Sequence, residues 1–371
     1  MKKRLKIAQI APIWFDVPPK QYGGTERIVS YITEELVKRG HNVSLFATQG
    51  SETKAKLVSP MPDSLLSSIK SYLDYNFNAI NYYTNAFVFQ HAQDFDVIHS
   101  HAFYLSFPFC DFVNTPTIHT LHNQLPRGSE PENELMRKYH HLNYVSISNE
   151  FQTHFDGLNY VGTVYHGLDL KYFPFNPTGG DYLLWIGRAS KNKGEDDAIV
   201  TAKRAGKKLL IGASVRPDTE KYFHEKIEPN LNEKIELIQN MSFEKTHEFY
   251  GNSKAFIFPV KWREPFGLIM IESMACGSPV IAYARGSTPE IIKDGVTGFL
   301  INPSEDERKG DFQIKKTGID GLCEAVERIF SMSDKEYKNM RLACRRHVEE
   351  KFTVEKMVDN YEKIYYKLLG L

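Results

Sequence analysis

Apolar and polar positions along this chain switch repeatedly between two periods. Short apolar runs at residues 5–13, 42–48, 96–101, 117–122, 144–148 and 162–165 read as strands, and the text between them moves to helical spacing. The clearest helix covers 25–38, where Ile28, Val29, Ile32, Leu36 and Val37 share one face and Gly40 follows the end. Residues 56–93 read as a helix plus an excursion over the sheet. The stretch Phe173-Pro174-Phe175-Asn176-Pro177-Thr178-Gly179-Gly180 has the composition of a linker. A second alternation then begins, with strands at 182–187, 208–212 and 235–239 and helices from Glu195, around Tyr222 and around His247. Strand 255–260, a helix, strand 279–283, a Gly-containing turn at 284–290, strand 297–301, a charged insertion at 304–316 and a helical tail at 318–371 complete it. Near the end Tyr361, Ile364, Tyr365 and Leu368 form an apolar stripe that needs a surface to cover.

Strands alternating with helices predict an α/β fold of doubly wound, Rossmann-like sheets, and two such series in tandem predict two domains with a cleft between them. The length of 371 residues agrees, since one core rarely serves a chain of that size. The expected domains are 1–172 and 173–350, with a separate final helix at 351–371. Lys plus Arg and Asp plus Glu both number 46, so no overall basic field recruits nucleic acid. Lys2-Lys3-Arg4 runs directly into a strand without the apolar region of a signal peptide. The longest apolar stretch, 102–113, is broken by Ser106, Pro108 and Asp111, which argues against a membrane span. Cys110, Cys276, Cys323 and Cys344 contain no close-spaced pair, as expected of a reducing compartment and of a protein without a zinc site. A cytoplasmic protein is the expectation.

Candidate chemistry concentrates at the ends of predicted strands. In Arg263-Glu264-Pro265-Phe266-Gly267-Leu268 through Glu272, Pro265 suits a first helical position and Gly277 the stop. A helix beginning at Glu264 would set Glu264 and Glu272 roughly 80° apart and about 12 Å along the axis, about the length of a sugar diphosphate. The N–H groups near Phe266, Gly267 and Leu268 would cradle an anion at the helix mouth. Arg188 and Lys193, in the loop after strand 182–187, would neutralise two phosphates. Gly23 and Gly24, with Thr25 as a cap, could admit a phosphate after the first strand. Period two puts His99 and His101 on one face, and His119 and His122 lie on the next strand. Their spacing permits a metal, but no H-E-x-x-H and no cysteine joins them, so hydrogen bonding at a sugar site is the preferred role. Asp94-Phe95-Asp96 precedes its strand and reads as a loop. The aromatics Tyr72, Tyr75, Phe77, Tyr82, Tyr83, Phe87 and Phe89 read as packing, with an acceptor or membrane surface as the alternative.

Together these residues resemble glycosyltransferase family 4, the retaining nucleotide-sugar transferases of GT-B fold. Glu264-Pro265-Phe266-Gly267-Leu268 through Glu272 looks like the family's E-x(7)-E element. Tyr22-Gly23-Gly24-Thr25-Glu26, Val97-Ile98-His99-Ser100-His101, Gly187-Arg188 with Lys193-Gly194, and Pro289-Glu290-Ile291 match its other motifs in order. By that resemblance Glu272 would hold the ribose hydroxyls, Glu264 the transferred sugar, and Arg188 with Lys193 the diphosphate. The Gly267 and Leu268 amides would assist, His101 would lie beside the reacting sugar, and Gly24 would approach the phosphate. The final helix would cross back to the first domain. Tyr165-His166-Gly167-Leu168-Asp169 departs from the family, which usually has Asn before Gly.

The resemblance implies a hexosyl transfer from a nucleoside-diphosphate sugar, with UDP-sugar preferred over GDP-sugar, and with retention, no metal and no cofactor. The acceptor would be a saccharide, a lipid-linked glycan or a small molecule, with peripheral contact on the inner face of a membrane left open. A GT-B nucleotide-sugar epimerase and a non-catalytic nucleotide-sugar-binding module are the alternatives. A phosphorylase is disfavoured because no region reads as its large pyridoxal phosphate domain.

Overall fold

A computed structural model describes residues 3–20, 23–60, 76–123, 130–215, 217–238 and 242–371. Tyr22, Tyr72, Tyr75, Gln239 and the side chain of Phe77 lie outside the described residues. The chain forms two compact units, Met1–Gly167 with Val354–Leu371, and Leu168–Thr353.

In the first unit the chain runs β1 (Lys6–Ile10), α1 (Gly24–Lys38), β2 (Asn42–Phe46), β3 (Lys56–Val58), α2 (Asn76–Gln90), β4 (Val97–Ser100) and β5 (Thr117–Thr120). It continues with α3 (Glu130–Lys138), β6 (Asn143–Ser146), α4 (Asn149–Gln152) and β7 (Tyr160–Thr163). The strands form one parallel sheet in the order β3-β2-β1-β4-β5-β6-β7. Parallel strands are covered on both faces, so β4 and β5 are buried at every position. Five of those eight positions are polar or ionisable, and four of the five, His99, Ser100, His119 and Thr120, are each 1% exposed or less. Such groups must find hydrogen bonds inside the unit.

In the second unit the order is β8 (Tyr182–Arg188), α5 (Glu195–Ala205), β9 (Leu209–Ser214), short irregular turns over 220–230, β10 (Ile235–Leu237), α6 (Phe243–Gly251) and β11 (Ser253–Phe258). Then come α7 (Leu268–Ala275), β12 (Val280–Tyr283), α8 (Thr288–Ile291), β13 (Gly298–Ile301), α9 (Gly318–Phe330) and α10 (Asp334–Lys351). These strands are parallel in the order β10-β9-β8-β11-β12-β13. Leu183, Trp185, Ile211, Ile257, Ile281 and Leu322 belong to its core.

The last helix, α11 (Val354–Leu368), belongs to the first unit and buries Tyr361, Ile364 and Tyr365 there, so the terminal apolar stripe is covered. Arg39 at the end of α1 holds it through Asp359 at 2.7 Å and Glu362 at 3.0 Å, and His41 Nε2 meets Glu362 at 2.8 Å. Phe173 is buried and Asn176 donates its N–H to the Cys276 carbonyl at 3.1 Å, so the linker-like stretch is packed onto the second unit.

Two local expectations are corrected. The helix after the Glu264 loop starts at Leu268, with Gly267 as its N-cap, so Pro265 is not its first residue. A φ of 85° at Gly267 is a left-handed turn that puts Pro265 and Glu264 in the preceding loop, and the 80° and 12 Å offsets of a continuous helix do not apply. Thr25 is not a cap either, because α1 starts at Gly24 with Gly23 as N-cap.

In each sheet one strand has neighbours from opposite chain directions: β1 lies between β2 and β4, and β8 between β9 and β11. Ligands of open α/β sheets bind at the carboxyl ends of strands flanking such a switch point. The predicted residues cluster at these two places. Gly23, Gly24 and His101 follow β1 and β4, whereas Arg188 ends β8 and Lys193 and Glu264 follow β8 and β11.

Candidate active site

At the switch point of the second unit, the loops leaving β8 and β11 bring two opposite charges into contact. Lys193 Nζ lies 2.8 Å from Glu264 Oε2, and the two side chains are only 16% and 9% exposed. Trp262 Nε1 donates to the same oxygen at 2.8 Å, and Lys193 Nζ sits 4.5 Å from the centre of the Trp262 ring. This cation over an aromatic face is held by a hydrogen bond as well as by the ring. Both bonds end on Oε2, so Oε1 of Glu264 makes no hydrogen bond among the described residues.

The Glu264 loop is held from behind by the turn before α8. Ser287 N donates to the Glu264 carbonyl at 2.9 Å and Ser287 Oγ to the Phe266 carbonyl at 2.7 Å. Gly286 has a φ of 61°, and a Cβ there would sit 2.3 Å from the Glu264 backbone. Only glycine lets the two loops approach so closely.

Glu272 lies on α7, one turn and a residue into the helix, with Tyr250 Oη donating to its Oε2 at 3.0 Å. Arg188 ends β8, and its Nε is buried without a hydrogen-bond partner among the described residues. A buried guanidinium nitrogen left in this state is a donor in want of an acceptor. The structure therefore joins Lys193 and Glu264 directly and places Arg188, Phe266, Gly267, Leu268 and Glu272 on the elements that flank them. Trp262 and Tyr250 were not among the sequence candidates. Trp262 stands two residues ahead of Glu264, but an aromatic residue at a strand end reads first as packing.

Beneath this loop Glu195 opens α5 and is fully buried. Burial pushes its carboxyl up to about 8, with backbone N–H groups of Glu195 and Ser190 and the Lys261 charge opposing the rise. A carboxyl whose folded pKa exceeds its unfolded one stays protonated longer in the folded chain, so stability falls as pH rises from about 4.5 to about 8 and then levels off. Glu195→Gln should remove that part of the slope: urea midpoints should match wild type near the acid end and exceed it above the upper value. A variant less stable at both ends would show that the ionised form is the folded one.

In the first unit His99, His101, His122 and His166 form one group. His101 Nδ1 lies 2.8 Å from His122 Nε2, the His99 and His101 ring centres are 4.0 Å apart, and His122 stacks on His166 at 5.1 Å. Burial lowers the pKa of His99, His101 and His166 well below the ordinary value and that of His122 to about 3, so the rings are neutral. His101 is 3% exposed, and its Nε2 meets Gln9 Oε1 at 3.0 Å. Both its nitrogens are thus engaged within the protein. His119 stands apart with Ser106 and Cys110, at 3.1 and 3.5 Å. Burial pushes the Cys110 thiol up to about 12, which makes it a poor nucleophile. Among the described residues no three His, Cys, Asp or Glu side chains come together as a metal site, and no helix is long and apolar enough to cross a membrane. In α2, Phe89 is buried, whereas Tyr82 and Tyr83 are exposed.

The chain matches the model of Glycosyltransferase Family 4 over residues 22–172 and that of Glycosyl transferases group 1 over residues 172–311. It is 31% identical over 145 residues to N-acetyl-alpha-D-glucosaminyl L-malate synthase of Bacillus anthracis, covering 36% of this chain and 34% of that protein. The aligned stretches span 34%, 45% and 58% of the length of three curated relatives. In structure it is similar to sucrose-phosphate synthase from Thermosynechococcus elongatus, with a TM-score of 0.78 and 21% identity, covering 99% of this chain and 100% of the other. It is likewise similar to Anabaena HepE solved in complex with UDP and glucose, with a TM-score of 0.74, 16% identity and coverage of 99% and 100%. These two likenesses concern the fold, which is that of GT-B glycosyltransferases.

Proposed function

Since this chain belongs to glycosyltransferase family 4, we propose that it moves a hexosyl group from a nucleoside-diphosphate sugar, UDP-linked by preference, to an acceptor hydroxyl, retaining anomeric configuration without a metal ion. The observation that carries the donor site is the Lys193–Glu264 contact at the switch point of the second sheet. A cation and a carboxylate held at one point suit a ligand that carries phosphate beside a polyol. Arrival of the diphosphate would draw Lys193 toward phosphate oxygen, while Glu264 Oε1 accepts from a sugar hydroxyl. Arg188, with a buried Nε that lacks an acceptor, would share the charge that grows on the leaving phosphate. The Gly267 and Leu268 amides at the start of α7 would add donors to the same anion. Glu272 would hold the ribose hydroxyls.

No side chain is assigned as nucleophile. In the reading adopted, acceptor attack and phosphate departure share one face of the sugar, and the departing phosphate takes the acceptor's proton. Glu264 and Glu272 both bind hydroxyls and do not straddle a scissile bond as a hydrolase pair does.

The test is release of nucleotide from a panel of UDP-, GDP- and ADP-sugars, with and without acceptors, in the presence and absence of chelator. Acceptor-dependent release that survives chelation is expected. A strict need for added divalent ion would overturn the metal-free reading, and interconversion of donor sugars without release would make the protein an epimerase. Donor binding without turnover for any pair would make it a binding module.

Glu272→Ala should weaken donor affinity by about tenfold, the scale of one hydrogen bond to a charged group. Titration calorimetry with nucleoside diphosphate reads this directly, and affinity equal to wild type would contradict the ribose role.

A further inference from the structure

The interior of the first unit carries groups for which the donor site has no use. Gln9 on β1, His99 on β4, Thr120 on β5 and Tyr361 and Tyr365 on α11 are all fully or almost fully buried. They are bonded to one another in a file that begins at the histidines and has one short-cut, Gln9 Nε2 lying 3.4 Å from His99 Nδ1 as well as within reach of Tyr365. His122 Nε2 meets His101 Nδ1 at 2.8 Å, and His101 Nε2 meets Gln9 Oε1 at 3.0 Å. Gln9 Nε2 lies 3.3 Å from Tyr365 Oη, which lies 2.7 Å from His99 Nδ1. His99 Nε2 then meets Thr120 Oγ1 at 2.7 Å, and Thr120 meets Tyr361 Oη at 3.1 Å.

A neutral imidazole has one N–H and one bare nitrogen, whereas an amide accepts only at oxygen and donates only at nitrogen. Gln9 Oε1 must therefore receive a proton from His101 Nε2, which leaves His101 Nδ1 bare. His122 must then donate from Nε2, so its own Nδ1 is bare, and that atom is buried without a partner among the described residues. On the other side Gln9 Nε2 donates to Tyr365, the Tyr365 hydroxyl donates to His99 Nδ1, and His99 donates from Nε2 to Thr120. Every bond runs in one sense. Turning the Gln9 amide round would reverse all of them and put a proton on His122 Nδ1.

We propose that Gln9 and Tyr365 are positioning residues that fix which nitrogen of His101, and through it of His122, carries the proton. The group then ends on a bare nitrogen, His122 Nδ1, a buried acceptor for which a sugar or acceptor hydroxyl would be the donor. Tyr365 reaches this file from α11, so docking of the last helix supplies the short contact that holds the Gln9 amide in this orientation. The consequence for turnover rests on the glycosyltransfer reading; the tautomers do not.

The experiment is long-range proton–nitrogen correlation NMR on the full chain with isotope-labelled histidine, His101→Gln and His122→Gln serving for assignment. Wild type should show His101 and His122 both protonated at Nε2. Tyr365→Phe, which leaves only the long Gln9 Nε2–His99 Nδ1 approach of 3.4 Å on this side of the amide, should give mixed tautomers at His99 and His101 and lower kcat by about tenfold at unchanged donor KM, the scale of one misdirected hydrogen bond. Tyr366→Phe removes a bond of 2.8 Å from the same helix to the Lys3 carbonyl, outside the file, and should move neither readout. A wild-type His101 protonated at Nδ1, a Tyr365→Phe spectrum identical to wild type, or an equal loss in Tyr366→Phe would each overturn the proposal. If no nucleotide sugar is turned over at all, the donor reading fails while the tautomers still decide this one.

Discussion

Lys193→Ala lowers turnover at saturating donor by about a hundredfold, the effect of removing one preorganised donor from a developing anion. The size of the effect follows from where the charge is held. Lys193 is mostly buried, its ammonium held between Glu264 and the Trp262 face, so it passes from one anionic partner to the other without first being stripped of bulk water. A lysine waving in solvent would be screened and worth far less. Loss of the ammonium also leaves Glu264 with Trp262 Nε1 alone on Oε2, a carboxylate without its counter-charge beside the proposed diphosphate site. Donor affinity should therefore fall together with kcat. Lys193→Arg keeps the charge but replaces a compact ammonium by a planar fork, and should recover only part of the rate. Steady-state release of nucleotide, with a melting curve to verify folding, checks this. Turnover within twofold of wild type would remove Lys193 from the site.

What was legible in the sequence, and what was not, follows from the range of the interactions. The strands were legible because a parallel sheet covered on both faces demands continuous apolar runs, and Leu183 to Ile186 or Ala255 to Phe258 supply them. The start of α7 was misplaced because Pro265 fits a first helical turn and a loop equally well; the deciding fact is the left-handed turn at Gly267, which a sequence does not display. The same holds for α1, where Thr25 has the chemistry of a cap but Gly23 has the position. Arg188, Lys193 and Glu264 could be nominated because each follows a strand. That Lys193 and Glu264 touch could not, since 71 residues separate them. The file through Gln9 was invisible for the same reason in extreme form: Gln9 and Tyr365 are 356 residues apart, and each alone is an ordinary core polar residue.

Arg341→Ala destabilises the second unit by about 4 kcal/mol, because several buried carbonyls lose a charged donor at once and each unsatisfied acceptor costs on the order of 1–3 kcal/mol. The Arg341 side chain is fully buried on α10. Its Nε and Nη2 donate to the Asn176 carbonyl at 2.9 and 2.7 Å, Nη2 also reaches the Gly251 and Cys276 carbonyls at 2.8 and 3.3 Å, and Nη1 reaches the Ser253 carbonyl at 3.1 Å. One guanidinium thus ties the entry to the unit, the end of α6, the start of β11 and the end of α7. These elements carry Tyr250 and Glu272 and lead into the Glu264 loop, so the loss should be felt at the proposed donor site although no atom of Arg341 lies there. The partial relaxation of those carbonyls toward water keeps the penalty below the sum of the separate terms. Urea unfolding followed by tryptophan fluorescence is suited to the measurement, because Trp185 and Trp262 both lie in this unit and only Trp14 lies in the other. Arg341→Lys, which keeps the charge but has too few donors for all four carbonyls, should fall between the two. An alanine variant that unfolds at the wild-type urea midpoint would mean that these carbonyls find other partners, and that α10 does not hold the floor of the site.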